Sequence, residues 1–183
     1  FDYQFYYFMF LALDLKFGQK IGFEVKDDLH IDKEDGTTIL YQAKHTIIKK
    51  RSVIIIGGGG HGKSCIEVIL STGLYTIAGI LDRKEKIGET VLGFPIIATD
   101  DDLETMKKKC DCFAVTVGQI KSAQTRIELY KRLTNIDAEL PFFVASSAYV
   151  SAYASIGKGT MIFHQAVINA SAVIGENCII NSG

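Results

Sequence analysis

The strongest chemical signal in the sequence is a glycine run that contains one histidine, GGGGHGK at positions 57–63. The run follows a short apolar segment at 53–56 and precedes a helical pattern. Its bare backbone can therefore approach a phosphate while the first turn of the helix faces the anion. Gly57, Gly59 and Gly62 satisfy the spacing G-x-G-x-x-G, although that motif alone has low specificity. The loop predicts a site for a phosphate-bearing ligand.

A carboxylate follows the loop at the spacing used by dinucleotide-binding proteins. Asp82 ends the next predicted strand, about 20 residues on, where such proteins place the acid that binds the ribose. An NAD-linked oxidoreductase is therefore one candidate. Two features argue against it, namely the histidine within the loop and the repeat in the C-terminal part of the chain, which is described next. His61 could contact a diphosphate or only cap the helix, Lys63 could contact a phosphate or be solvated, and Asp82 could only cap a turn.

The C-terminal part of the chain repeats a branched aliphatic residue at every sixth position. The repeated residues are Val150, Ile156, Ile162, Ile168, Ile174 and Ile180. The small residues that stand four places after them are Ala154, Thr160, Ala166, Ala172 and Cys178. A coil with three flat faces points one aliphatic side chain per face inward and leaves room only for small residues at its corners. The repeat predicts a left-handed parallel β-helix of a little under two coils.

Between the loop and the repeat, helical and strand patterns alternate, which predicts a parallel sheet with crossover helices. Asp100, Asp101 and Asp102 are expected to cap one of these helices. The predicted strands lie at 53–56, 76–81 and 112–117, and the predicted helices at 63–72, 102–109 and 122–133. The predicted fold class is α/β. An N-terminal stub of a helix and a β-hairpin comes first, a Rossmann-like nucleotide-binding domain follows it, and the first coils of the β-helix come last.

The composition fits a globular protein without a strong electrostatic preference. The net charge is −1, 48% of the residues are hydrophobic and 22% are charged, so nothing attracts the whole chain to nucleic acid or to an anionic membrane. The apolar run at 5–13 is shorter than the roughly 20 residues of a membrane helix and lacks the basic start of a signal peptide. We therefore expect a cytoplasmic protein whose four scattered cysteines are free thiols.

Residues 50–183 resemble bacterial hexapeptide-repeat sugar O- and N-acyltransferases, of the sialic-acid O-acetyltransferase and bacillosamine N-acetyltransferase type. The resemblance rests on VIIIGGGGHGKSCIEVIL, GILDRKEKIGETVLGFPIIATDDDL, FAVTVGQIKSAQTRIELYKRL and the hexads, which stand in the order and spacing of that family. It implies acetyl transfer from acetyl-CoA to an amino or hydroxyl group of a UDP- or CMP-linked sugar. It also implies a homotrimer and no metal.

The same resemblance implies a set of substrate-binding residues, Gly59, Gly60, His61, Asp82, Arg83 and Gly118. The first three correspond to the phosphate and sugar loop of the family, the next two to its nucleotide-reading pair, and the last to the glycine beneath the nucleotide. Arg83 stands where the family often has an acidic residue, which leaves the specificity for base and sugar open.

The general base of that family is a histidine that follows an Asn-Ser/Thr-Gly corner by a few residues. Here the corner is Asn181-Ser182-Gly183, so we expect the base beyond Gly183 and no catalytic residue for acyl transfer among residues 1–183. The base would take a proton from the sugar amine or hydroxyl as that group attacks the thioester. His164 lies in the wrong coil to replace it. The 183 residues alone are expected to bind substrate and to be inactive.

The opening segment has no counterpart in the acyltransferases and resembles the start of restriction-like double-stranded DNA nucleases of anti-phage systems. The strings DYQFYYFMFLALDL, GFEVKDDLHI and LYQAKHT carry this resemblance. It implies that Glu24, Asp28 and Gln42-x-Lys44 descend from a site in which carboxylates hold Mg²⁺ and the lysine stabilises charge. Asp28 could equally lie in a turn and Lys44 on a strand surface.

The three segments give the predicted domains, namely the nuclease-like stub at 1–48, the nucleotide-binding domain at 49–143 and the β-helix at 144–183. In the stub, a helix ended by Gly18 precedes two or three strands at 21–26, 29–33 and 38–44. Nucleic acid is an expected partner only if the stub is functional. The alternative functions are a nuclease-derived defence protein and a non-catalytic module that binds a sugar nucleotide.

Overall fold

The computed structural model describes residues 50–119 and 122–183 in full and, before them, the backbone of three short strands. The chain divides into two compact units, Phe1–Ile47 and Ile48–Gly183. No helix within these described residues is long and apolar enough to cross a membrane. The predicted helix before Gly18 lies outside the described residues.

The first unit contains a three-stranded antiparallel sheet. Its strands are β1 (Lys20–Phe23), β2 (Asp28–Asp32) and β3 (Thr38–Gln42), arranged in that order. The β-branched pattern predicted these three strands, which the structure confirms. The register pairs Asp28 with Gln42 across β2 and β3, whereas Glu24 and Lys44 lie outside the described residues.

The second unit begins with a five-stranded, mostly parallel sheet. Its strands are β4 (Arg51–Ile56), β5 (Tyr75–Leu81), β6 (Thr90–Val91), β7 (Phe94–Ala98) and β8 (Cys112–Val115). The helices of this unit are α1 (Gly60–Ser71), α2 (Leu103–Lys107) and α3 (Gln124–Asn135). The strand order is β6-β7-β5-β4-β8, and only β6 runs antiparallel to its neighbour.

The central strand β4 is apolar throughout its second half because both faces of the sheet are covered. Val53 and Ile55 belong to one buried cluster, in which α1 packs on the sheet. Ile54 and Ile56 point to the opposite face and join a second cluster with Leu129 and Leu133 of α3. An uninterrupted hydrophobic run is typical of such a strand, since successive side chains enter different halves of the core.

The β6–β7 hairpin is the main element that the sequence analysis missed. Its turn contains Leu92 and Gly93, both with positive φ (49° and 84°), and Pro95 lies within β7 opposite Thr90. A two-residue strand and a strand that contains proline both give a weak alternation signal. The sheet is therefore mixed, although we predicted a parallel one.

The predicted helix at 102–109 is shorter than expected. A 3-10 turn occupies Asp100–Asp102, and α2 follows it. The cap is Thr99, whose hydroxyl accepts from the amide of Asp101 and which forms a capping box with Asp102. The aspartate run thus supplies the acidic partner of the cap, and a threonine supplies the cap itself.

After α3 the chain forms a triangular coil of two-residue strands. They are β9 (Phe143–Val144), β10 (Tyr149–Val150), β11 (Ser155–Ile156), β12 (Met161–Ile162), β13 (Val167–Ile168), β14 (Val173–Ile174) and β15 (Ile179–Ile180). Each of β9 to β12 pairs in parallel with the strand three hexads further along, so the strands form three stacked faces.

The six repeated aliphatic residues all pack in one cluster inside this coil. Ile162 (0% exposed) and Ile168 (6%) are fully buried, and the other four are partly buried. The corners take the left-handed backbone conformation, with positive φ at Gly159, Gln165, Ser171 and Asn177, each directly before one of the small residues. The small residues are required because the chain turns sharply there beside the apolar interior.

The coil shares its core with the sheet. Phe143, Met161 and Phe163 belong to the same buried cluster as the inner face of α1, and the ring of Phe143 meets Tyr75 edge to face at 4.9 Å. The sheet and the coil are therefore one packed body, and the predicted domain limits at 48, 143 and 144 stay predictions.

Candidate functional site

The glycine loop lies where the strand order of the sheet reverses. The chain leaves β4 through 57–59 and enters α1, while β5 and β8 lie on opposite sides of β4. The loops that follow β4 and β8 therefore diverge and leave a crevice at the carboxyl ends of the strands. Such a switch point is the usual ligand site in open α/β sheets.

Two glycines of the loop are required by packing. Gly57 has φ of 106°, and a β-carbon there would lie 2.8 Å from Val117. A β-carbon on Gly62 would lie 2.2 Å from the carbonyl oxygen of Gly57. By contrast, a β-carbon on Gly59 or Gly60 would meet nothing within 4 Å. The first pair thus shapes the turn, and the second pair leaves the helix N-terminus open to a ligand.

The crevice forms a pocket of about 520 Å³. Its lining residues are Gly57, Gly59, Gly60, His61, Gly62, Asp82, Lys86, Thr116, Val117, Gly118 and Ser122. The structure therefore brings together all the predicted substrate-binding residues except Arg83, whose side chain is 76% exposed. Lys63 of the loop is also exposed and does not line the pocket.

Asp82 organises one side of this pocket. Its Oδ2 accepts hydrogen bonds from the amide of Gly58 (3.0 Å) and from Nζ of Lys86 (3.1 Å), and its Oδ1 accepts from the amide of Arg83 (2.7 Å). Burial by itself would raise the pKa of this carboxyl, but these donors outweigh it and lower the pKa below its ordinary value. Asp82 is therefore an anion that holds the glycine loop against the end of β5.

Sequence reasoning missed Lys86. It lies four residues after Asp82 in a 3-10 turn, forms an ion pair with that carboxylate, and places an ammonium group beside the pocket. The only sequence signal for this ion pair was the spacing of aspartate and lysine at i and i+4. That spacing predicts a contact only if the segment is helical, because residues four apart meet only in helical conformations.

His61 stands in the first turn of α1 with its ring against the coil. The ring centroid lies 5.4 Å from that of Phe163, and its Nε2 is buried without a hydrogen-bond partner. Burial, followed by the positive charge of Arg126, lowers the pKa of His61 below its ordinary value of 6.5. The imidazole is therefore neutral at physiological pH, and its ring lines the pocket while Nε2 itself is buried.

The opposite wall of the pocket is the segment that follows β8. The hydroxyl of Thr116 donates to the carbonyl oxygens of Ile56 (2.9 Å) and Gly57 (2.7 Å), which fastens this wall to the loop. A β-carbon on Gly118 would lie 3.2 Å from the β-carbon of His61. A residue larger than glycine at 118 would therefore press on the histidine.

The remaining candidate residues lie elsewhere. Nδ1 of His164 is 2.8 Å from Oγ of Ser147 on the coil, and neither residue lines the pocket. Within the described residues no group of three or more His, Cys, Asp or Glu could hold a metal ion. For the nuclease-like set, the structure gives only the backbone pairing of Asp28 with Gln42.

Part of the chain matches a known protein family. Residues 52–133 match the family model of the PglD N-terminal domain. This stretch runs from β4 to α3 and includes the whole glycine loop. No curated protein sequence matches the chain significantly.

Several solved structures resemble the chain. A mutant of perosamine N-acetyltransferase from Caulobacter crescentus, in complex with CoA and GDP-perosamine, is 31% identical over 71% of this chain and 60% of its own, with a TM-score of 0.65. PerB from the same organism, also with CoA and GDP-perosamine, is 32% identical over 72% and 60%, with a TM-score of 0.65. The acetyltransferase domain of PglB from Neisseria gonorrhoeae, with acetyl coenzyme A, is 29% identical over 72% and 62%, with a TM-score of 0.63.

These similarities confirm the predicted resemblance of residues 50–183 to sugar O- and N-acyltransferases, with sugar N-acetyltransferases as the relatives found. The chain spans about 60% of the length of these structures. The similarities found give no support to the predicted resemblance of residues 1–48 to nucleases.

Proposed function

From the resemblance of the second unit to sugar N-acetyltransferases, we propose that the glycine-loop pocket binds a nucleotide-activated sugar as the acceptor of an acetyl group from acetyl-CoA. The pocket is the observation that carries this proposal. It combines an open helix N-terminus at Gly59 and Gly60 with the ammonium group of Lys86 and an unpartnered nitrogen of His61. Backbone N–H groups and a cation suit a diphosphate, and the imidazole suits a hydroxyl group.

The acetylated group is proposed to be an amino group. We predicted an amino or a hydroxyl group. Solved relatives from Caulobacter crescentus are N-acetyltransferases of perosamine, which favours the amino group. The nucleotide sugar is proposed to carry a diphosphate, as UDP and GDP sugars do. GDP sugars join the predicted UDP sugars as candidates because two solved relatives are complexes with GDP-perosamine, and the predicted CMP sugars, which have a single phosphate, are the alternative.

For the fold, we propose the finer assignment made from the sequence. The strand order around β4, with the glycine loop at the reversal, supports a Rossmann-like domain. The pairing of strands three hexads apart supports the left-handed β-helix. The proposed limits are 1–48, 49–143 and 144–183.

We further propose the trimer that the resemblance implies. Two faces of the coil carry exposed apolar side chains, Tyr149 (60% exposed) beside Val167 (63%) on one and Val173 (79%) on another. Large exposed apolar residues in neighbouring positions are typical of a surface that another chain covers. Sedimentation measurements on the full-length protein would test this, and a monomer would contradict it.

The catalytic base is proposed to be a histidine beyond Gly183. In support, His164 forms a hydrogen bond with Ser147. His61 is partly buried against Phe163 and its pKa is lowered, which suits a hydrogen-bonding partner of the ligand better than a proton acceptor. A cytoplasmic location, where acetyl-CoA is available as donor, belongs to the same proposal.

Calorimetric titration of the purified chain with UDP-, CMP- and GDP-linked sugars and with NAD tests the proposal. We expect binding of at least one nucleotide sugar in preference to NAD. A variant Gly59→Ala adds a methyl group to the open part of the loop and should weaken binding. Gly175→Ala is the matched control, since its β-carbon would only meet Cys178 at 3.7 Å, away from the pocket. Binding of NAD without any nucleotide sugar would contradict the proposal and favour the dehydrogenase-like alternative.

A further inference from the structure

Arg126 of α3 is a buried arginine that binds only to the main chain. It is 1% exposed and has the largest of the fully buried side chains in the described residues. Its guanidinium donates four hydrogen bonds, and all four acceptors are main-chain carbonyl oxygens. These are Val115 (2.6 Å), Val117 (3.3 Å), Asn177 (3.0 Å) and Gly159 (3.2 Å).

The four acceptors come from two places in the fold. Val115 and Val117 flank Thr116 on the wall of the glycine-loop pocket. Gly159 and Asn177 are stacked corners of the coil, and both have positive φ. One planar fork therefore joins the pocket wall to the coil, which a lysine with its single nitrogen cannot do.

The charge of Arg126 has no counterion among the described residues. None of the ion pairs there includes it, and its four hydrogen bonds all end on carbonyl oxygens. An arginine stays protonated even when buried, and a buried charge without a partner is costly. The positive field reaches the glycine loop, because it contributes to the lowered pKa of His61. A diphosphate in the pocket would lie within this field.

We propose that Arg126 is a positioning residue that couples the pocket to the coil. By fastening 115–117 to the corners at Gly159 and Asn177, it makes an intact coil a condition for a well-formed pocket wall. A ligand in the pocket then stabilises the coil in return, because coupling between two sites is reciprocal. The identity of the ligand rests on the proposed function, whereas the coupling itself does not.

A second contact of α3 supports the coupling. Tyr130, one turn after Arg126, donates from its hydroxyl to Glu176 (2.8 Å). A β-carbon on Gly159 would lie 2.8 Å from the ring of Tyr130, so the helix fits closely over this corner. The face of α3 that begins beside the pocket wall thus continues onto the coil.

Hydrogen exchange of the ligand-free full chain tests the coupling without any assumption about the ligand. In Arg126→Met we expect faster exchange both in 113–119 and at the corners 157–160 and 175–178. Arg126→Lys keeps the charge and loses the fork, and should show the same pattern even if the methionine variant fails to fold. Arg132→Met is the matched control, since this arginine of the same helix pairs with Asp100 at the surface. Faster exchange in only one of the two regions, or in neither, would overturn the proposal.

Exchange in the presence of UDP or GDP tests the reciprocal effect. In the wild-type chain and in Arg132→Met, we expect the bound nucleotide to slow exchange at 157–160 and 175–178 by roughly 5-fold or more, the lower end of usual coupling. In Arg126→Lys this protection should be lost. Protection of the coil that survives in Arg126→Lys would overturn the coupling. If neither nucleotide binds the wild-type chain, the proposed diphosphate ligand is wrong, and the ligand-free exchange alone decides the role of Arg126.

Discussion

Gly62 lies so close to Gly57 that a β-carbon at position 62 would be 2.2 Å from the carbonyl oxygen of Gly57. The contact joins the first turn of α1 to the end of β4, and it sets how closely the helix approaches the sheet at the mouth of the pocket. The third glycine of the G-x-G-x-x-G pattern thus serves packing, whereas Gly59 and Gly60 keep the ligand side open.

Gly62→Ala should destabilise the fold. The added methyl group meets a backbone atom that cannot rotate away, so α1 must shift, and overpacking of this kind costs about 1–3 kcal/mol. Denaturant unfolding measures the change. Gly60→Ala is the control, because a β-carbon there meets nothing within 4 Å and alanine favours the helix by up to about 1 kcal/mol. Equal stability of the two variants would show that the close approach is absent in solution.

Asp82→Asn should remove a contribution to stability that depends on pH. The pKa of Asp82 is lowered in the folded state from 3.8, so its stabilising effect is fully present above that value and is lost as the pH falls through the folded-state pKa. The free-energy difference between wild type and variant should therefore be largest near neutrality and vanish in acid. Asp101→Asn is a suitable control, since its side chain is 92% exposed. A difference that stays constant down to acid pH would show that Asp82 acts without its charge.

His61→Gln should reduce the loss of stability in mild acid, in the same sense as for Asp82 but at a higher pH. The pKa of His61 is lowered in the folded state from 6.5, so protonation favours unfolding once the pH falls below that value. The wild-type chain should then lose stability relative to the glutamine variant, which does not titrate. NMR titration of the His61 ring should give a midpoint below 6.5. Parallel stability curves for the two proteins, or a midpoint above 6.5, would contradict the buried position beside Phe163.

Ile168→Asp should unfold the coil. Ile168 is 6% exposed inside the coil, and an unpaired charge buried there costs several kcal/mol or forces the carboxyl to become neutral. Circular dichroism and hydrogen exchange of 150–180 measure the loss. Asn169→Asp is the matched control, because it adds the same charge at the next residue along the coil, which is exposed. Similar damage in both variants would show that the charge itself, and not the burial of Ile168, disrupts the coil.

Local patterns in the sequence were sufficient for the glycine loop, the buried strand β4 and the hexads. Each of these features depends on residues next to one another or at a fixed short period, so the physical cause is visible along the chain. A loop without side chains, an uninterrupted apolar strand and an aliphatic residue at every sixth position each have few structural solutions.

Contacts between distant residues were decided only by the tertiary structure. Arg126 looks like one more charged residue of an amphipathic helix until the end of β8 and two coil corners close around it. Phe163 contacts His61 of the site only because the coil packs against α1. Lys86 reaches Asp82 only through the turn that follows β5. A sequence pattern indicates the local structure that a segment prefers. These residues instead obtain their roles from carbonyl groups, a ring and a carboxylate that folding brings to them.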